Sequence, residues 1–162
     1  MNPYLLDKVE CGQLATLDIV IYYNTEWDEF WSFVQKKANQ RWIWYAVERK
    51  TGLIVAFHNG RRTDESLKAL IAKMAHLSIR ICHTDAWAAY GKLLPSKYLH
   101  IIGKDNTWKI ERKNLNFRTH LKRLNRRTIC FSKNEEIHDN VIGLYINRYY
   151  FKYGKFGDAL AA

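Results

Sequence analysis

Two periodicities divide the chain. Up to about residue 57 apolar side chains come in short dense runs, residues 17–23, 26–34, 42–47 and 53–57, rich in the Val, Ile, Tyr, Trp and Phe that suit a pleated surface. Thr51-Gly52 separates the last two runs and predicts a hairpin or meander. Beyond it Leu67, Leu70, Ile71 and Met74 recur at i, i+3, i+4 and i+7, the stripe of an amphipathic helix, with Thr63 or Asp64 available as its cap. Residues 79–82 predict a short buried strand ending at His83-Thr84-Asp85, residues 87–94 a short helix closed by Pro95, and residues 98–102 another strand. A long helix is predicted over residues 108–124, with Ile110, Phe117, Leu121 and Leu124 on its inner stripe. Ser132-Lys133-Asn134-Glu135 has the pattern of a capping box and opens a last helix reaching toward Tyr150. Strands followed by alternating helix and strand describe an α/β protein, a mixed sheet flanked by helices in the element order of the ribonuclease H-like fold.

At 162 residues with 48% hydrophobic content the chain can bury one core, and no linker or internal repeat divides it. Residues 17–150 are expected to form the domain, with 1–16 and 151–162 as terminal extensions. Cys11, Cys82 and Cys130 are odd in number and far apart, so neither a disulfide framework nor a structural zinc site is expected. No signal segment and no apolar run near the roughly 20 residues needed to span a bilayer is present, so a cytoplasmic protein without membrane contact is expected.

Charge sharpens the picture. Of the formal net charge of +10, seven units fall within residues 104–127, where Lys104, Lys109, Arg112, Lys113, Arg118, Lys122, Arg123, Arg126 and Arg127 face only Asp105 and Glu111. Such a surplus gains free energy by releasing counterions from a polyphosphate, which points to nucleic acid. Phosphodiester chemistry would further require carboxylates from separate elements holding divalent ions about 4 Å apart. Asp28 lies inside an aromatic strand, Asp85 ends a buried one, and Glu111 stands near the start of the basic helix. Each has an ordinary alternative: an edge-strand acid facing solvent, a helix cap, and a local ion pair. Their combination on three elements is what suggests a site.

The words around these acids are Trp27-Asp28-Glu29-Phe30-Trp31-Ser32-Phe33-Val34, Asn39-Gln40-Arg41-Trp42-Ile43-Trp44-Tyr45-Ala46, Thr84-Asp85-Ala86-Trp87-Ala88-Ala89-Tyr90, Lys109-Ile110-Glu111-Arg112-Lys113-Asn114-Leu115 and His138-Asp139-Asn140-Val141-Ile142-Gly143. In that order they resemble the catalytic part of the insertion-sequence-one family of bacterial transposases, the InsB-type proteins. The resemblance implies a ribonuclease H-like DDE transposase that cleaves element ends and transfers a 3′ hydroxyl into target DNA. Its acids fall on Asp28, Asp85 and Glu111, with 25 residues between the last two, and these would bind Mg2+ or Mn2+. Asp139, in the His138-Asp139 pair, is then an auxiliary acid, or else a charge on a solvent face. Lys109, Arg112, Lys113, Arg118, Lys122, Arg123, Arg126 and Arg127 would clamp phosphates of double-stranded DNA, both element end and target. The resemblance also implies a homo-oligomer assembled on DNA and an upstream DNA-recognition protein or domain. Two other readings of the same residues stay open: a ribonuclease H-like nuclease, and a non-catalytic basic remnant that regulates a full-length transposase.

Overall fold

Strand β1 (Tyr22–Phe33) is the middle of a five-stranded sheet in the computed structural model, which describes residues 22–103, 108–125 and 127–151. β2 (Gln40–Glu48) and β3 (Ile54–Gly60) continue from it as an antiparallel meander. Helix α1 (Asp64–Lys73) crosses over, and β4 (Ser78–Thr84) pairs parallel to the other side of β1. After α2 (Ala88–Leu93), β5 (Leu99–Ile102) adds parallel to β4, giving the order β3-β2-β1-β4-β5. Helix α3 (Trp108–His120), a 3-10 turn (Lys122–Leu124), α4 (Glu135–Ile146) and a π-helical turn (Asn147–Phe151) complete the described fold. The mixed sheet with flanking helices is the architecture that the hydrophobic pattern predicts.

Strands β1 and β2 read as almost unbroken apolar runs because both their faces are covered. Trp27, Trp44 and Ala46 pack on one face with Leu67 and Leu70 of α1, with Met74 that caps it, and with Tyr90 of α2. On the other, Phe30, Ile43, Tyr45 and Val47 meet Ile110 and Phe117 of α3, Leu124, and Ile142 of α4. Phe117 is wholly buried and touches the rings of Phe30, Tyr45, Tyr145 and Tyr150. The β2–β3 turn needs Gly52, whose φ of +75° is disfavoured for residues with a Cβ.

Three boundaries depart from expectation. Residues 22–23 and 26–33 belong to one strand, because a register shift between Tyr23 and Asn24 absorbs the polar Asn24-Thr25 step that reads as a break; the rest of the first predicted strand lies outside the described residues. The basic helix stops at His120. Leu121 turns extended, and the following 3-10 turn carries Leu124 into the core, so the predicted apolar stripe is right while the helix is shorter. The cap of α4 is Asn134, whose side chain accepts from the Ile137 amide; Ser132 instead binds His138.

Candidate active site

Alternation along the central strand sends neighbouring acids to opposite faces. Asp28 sits opposite Tyr45 on the α3 face, whereas Glu29 sits opposite Trp44 on the α1 face. Since β1 is interior to the sheet, the edge-strand alternative for Asp28 fails. Parallel pairing aligns Glu26 with His83, which places Asp85, just past the end of β4, beside Asp28. α3 lays its first turn, with Glu111, over the same end. Asp28, Asp85 and Glu111 thereby line one pocket of about 160 Å³, together with Glu26, Arg49 and His83.

Burial pushes the Asp28 carboxyl up to about 7, opposed by the hydrogen bond that Asn114 donates and reinforced by the nearby charges of Glu29 and Asp85. Asn114 Nδ2 donates to Asp28 Oδ2 at 2.6 Å, and Tyr45 in turn donates to Asn114 Oδ1 at 2.8 Å. Asp85 Oδ1 accepts from the Trp87 amide at 3.0 Å; it stiffens the turn into α2, whose N-cap is Trp87 itself. Glu111 is exposed at the pocket mouth. On the opposite wall Arg49 Nη1 lies 2.9 Å from His83 Nε2, and its Nε is 3.7 Å from Glu26. Burial and the Arg49 charge hold His83 below the usual imidazole range.

Hard oxygen donors on three elements are the chemistry that Mg2+ or Mn2+ prefers. As the side chains stand, no set of three His, Cys, Asp or Glu among the described residues is gathered to hold an ion. The donors fit in kind and in location, and the Asn114 amide occupies one oxygen of Asp28.

Asp139 lies elsewhere. It is bound through both carboxylate oxygens by Arg41 at the start of β2, and it does not line the pocket. Of the predicted phosphate contacts, Arg112, Lys122 and Arg127 are exposed and Arg123 is half-buried. Lys113 and Arg118 lean over the rings of Tyr150 and Phe30. Arg126 and the side chain of Lys109 lie outside the described residues. Sequence reasoning missed Glu26, His83, Arg49 and Asn114. Glu26 and His83 each stand two residues before a candidate acid on the same strand face, and Asn114 is one helical turn after Glu111, spacings that carry a signal. Arg49, in a turn, has none.

The sequence profile of the IS1 transposase family matches residues 19–152. The chain belongs to that family. This IS1-family chain is 48% identical over 126 residues to the InsB protein of insertion element iso-IS1n from Shigella dysenteriae, spanning 78% of this chain and 95% of that protein. It is 43% identical over 122 residues to the IS1 protein InsB of Shigella flexneri, covering 75% and 92% respectively. Among solved structures it resembles the HTLV-2 integrase catalytic core domain in complex with magnesium, with TM-score 0.52 and 14% identity over 82% of this chain and 88% of that one. A chain of the simian T-cell lymphotropic virus intasome matches with TM-score 0.57 and 16% identity over 80% and 48%. The fold of the IS1-family chain is ribonuclease H-like, as expected, and its family is one of transposases. No helix among the described residues is long and apolar enough to cross a membrane.

Proposed function

We propose that this domain, residues 17–150, cleaves DNA strands at the ends of an insertion element and joins the freed 3′ hydroxyl to target DNA. The observation that carries the reading is the meeting of Asp28, Asp85 and Glu111, from the middle of β1, the end of β4 and the first turn of α3, in one pocket. These three would hold Mg2+ or Mn2+; magnesium is the ion bound to the integrase core of like fold. Such ions stabilise charge on the attacking and leaving oxygens of an in-line displacement.

The chain's own groups supply the rest. Asp28 must give up its proton and the Asn114 amide to become a ligand, and its protonation midpoint of about 7 makes that exchange easy near neutrality. Arg49, braced by Glu26 and His83, faces the carboxylates across the pocket and would orient a non-bridging phosphate oxygen. Arg112, Lys122, Arg123 and Arg127 would hold duplex backbone, fixing its position more than its sequence. Asp139 acts from a distance by tying α4 to β2 through Arg41. Assembly of several copies on the two element ends, and sequence choice by an upstream DNA-recognition protein or domain, complete the proposal.

The test uses a labelled duplex carrying an element end and a target plasmid, with Mg2+ or Mn2+. Wild type is expected to nick and then join. Asp28→Asn, Asp85→Asn and Glu111→Gln should each lose both steps by about 10³-fold or more while retaining DNA affinity. Cleavage confined to the RNA strand of a hybrid would replace this reading with a nuclease. Activities untouched by all three substitutions would replace it with a regulatory DNA binder.

A further inference from the structure

At the far end of β1 a second, larger cavity of about 580 Å³ opens between the β1–β2 turn and the β3–α1 corner. It is lined by Asn39, Arg41, Trp42, Arg61, Arg62 and Glu135. Register puts Trp42 opposite both Trp31 and Gly60, so the cavity begins three residues beyond Asp28 on the same strand. At about 3.3 Å per residue that is roughly 10 Å along β1 from Asp28, and the odd step turns Trp31 and Trp42 to the α1 face, so the cavity opens on the reverse side of the sheet from the Asp28 carboxyl.

The corner is built to hold one side chain out. Gly60 makes the turn close, since a Cβ there would stand 2.5 Å from Ser66 Oγ. The buried Trp44 indole donates to the Arg61 carbonyl at 3.1 Å. The Arg62 guanidinium lies over Trp42 and Trp87 at 5.0 and 4.9 Å and donates to Glu29 Oε1 at 2.7 and 3.0 Å. Glu29 is also held by Tyr90, which donates to its Oε2 at 2.7 Å. Arg62 and Arg41 are therefore consumed by Glu29, Asp139 and Glu135. Arg61 is exposed and makes no ion pair among the described residues, and Lys36 and Lys37 are exposed on the facing turn.

We infer that this groove is a second DNA site, which takes the backbone of a strand led from the pocket round the end of β4, past Trp87, to the α1 face, with Arg61 as its phosphate contact and Lys36 and Lys37 beside it. The inference rests on the proposed action on DNA and adds a contact surface separate from the basic helix α3. Aromatic and carboxylate bracing of Arg62 fixes the wall, so that Arg61 meets a phosphate with little ordering cost. The same network runs through Glu29 to the strand of Asp28 and the helix after Asp85, so groove and pocket share one rigid frame.

Binding of the full chain to an element-end duplex with a single-stranded extension, and to the same duplex made blunt, tests this by fluorescence anisotropy across a salt series. Arg61→Glu is expected to weaken binding to the extended DNA about 10-fold or more and to lower its salt slope by about one. Lys36→Glu with Lys37→Glu should act in the same direction, and blunt DNA should respond less. Arg112→Glu should weaken both DNAs alike. Wild-type binding with Arg61→Glu and the double lysine variant unchanged overturns the groove alone. A wild-type chain that binds neither DNA overturns the proposed function and the groove with it. Arg61→Ala, which adds no repulsion, should show the same salt-slope change, and a normal slope there would also count against the groove.

Discussion

Burial holds the proton on the Asp28 carboxyl up to about 7, against the hydrogen bond that the Asn114 amide donates to it. Its folded midpoint of about 7 stands above the ordinary 3.8, so the folded state binds the proton more tightly than the unfolded chain. The ionised form is then penalised only after folding, and the penalty grows as pH rises from about 4 to about 7. Asp28→Asn, which cannot ionise, should raise the melting temperature of the metal-free protein at pH 8 by roughly 5–10 °C. The gain should vanish toward pH 4; an equal gain at both pH values would contradict a buried, uptitrated carboxyl. His138 titrates in the opposite sense. It is fully buried between Ser32 Oγ at 2.9 Å and Ser132 Oγ at 2.7 Å, and burial holds it down to about 4. Stability from a neutral His138 is complete above about 6.5 and is lost as pH falls toward 4. Melting curves of His138→Gln should show a flatter acid limb than wild type over that interval.

At the scale of elements, α3 has two tasks, presenting Glu111 and sealing one face of the sheet. Phe117 does the second, and Phe117→Ala should cost about 3–5 kcal/mol in denaturant unfolding while leaving Glu111 in place. A loss under 1 kcal/mol would mean the aromatic cluster can close over the gap. The apolar stripe of this helix was legible from spacing, as were the meander, the α1 stripe and the buried run before Asp85. The break at Leu121 was not, because a 3-10 turn that carries Leu124 inward preserves the same apolar positions as a continued helix. The cap at Asn134 was ambiguous for a related reason: Ser132 and Asn134 are both good caps, and only the buried partnership of Ser132 with His138 decides between them. In the pocket, the three acids were visible as residue types on separate elements. Arg49 was invisible, since its place depends on how the β2–β3 turn meets β4.

For the whole molecule, the pocket works as a junction of three independently built parts, and ion binding should tighten that junction. Addition of Mn2+ at pH 8 to about a hundred times its dissociation constant should stabilise wild type by about 2.7 kcal/mol. Asp28→Asn and Asp85→Asn should lose that increment, and its persistence in both would place the ion elsewhere. Five strands in the order β3-β2-β1-β4-β5 also make β1 answerable to two neighbours at once. Asp28 and Glu29 are adjacent acids with unlike surroundings, the first facing the pocket and the second locked to Arg62 and Tyr90 on the reverse side. Sliding this strand by a single position would turn both to the opposite faces, taking Asp28 out of the pocket and Glu29 off Arg62 and Tyr90. A misthreaded chain would therefore lose together its core packing and, under the proposed reaction, its capacity to break DNA, so that only a chain in correct register could act on a genome.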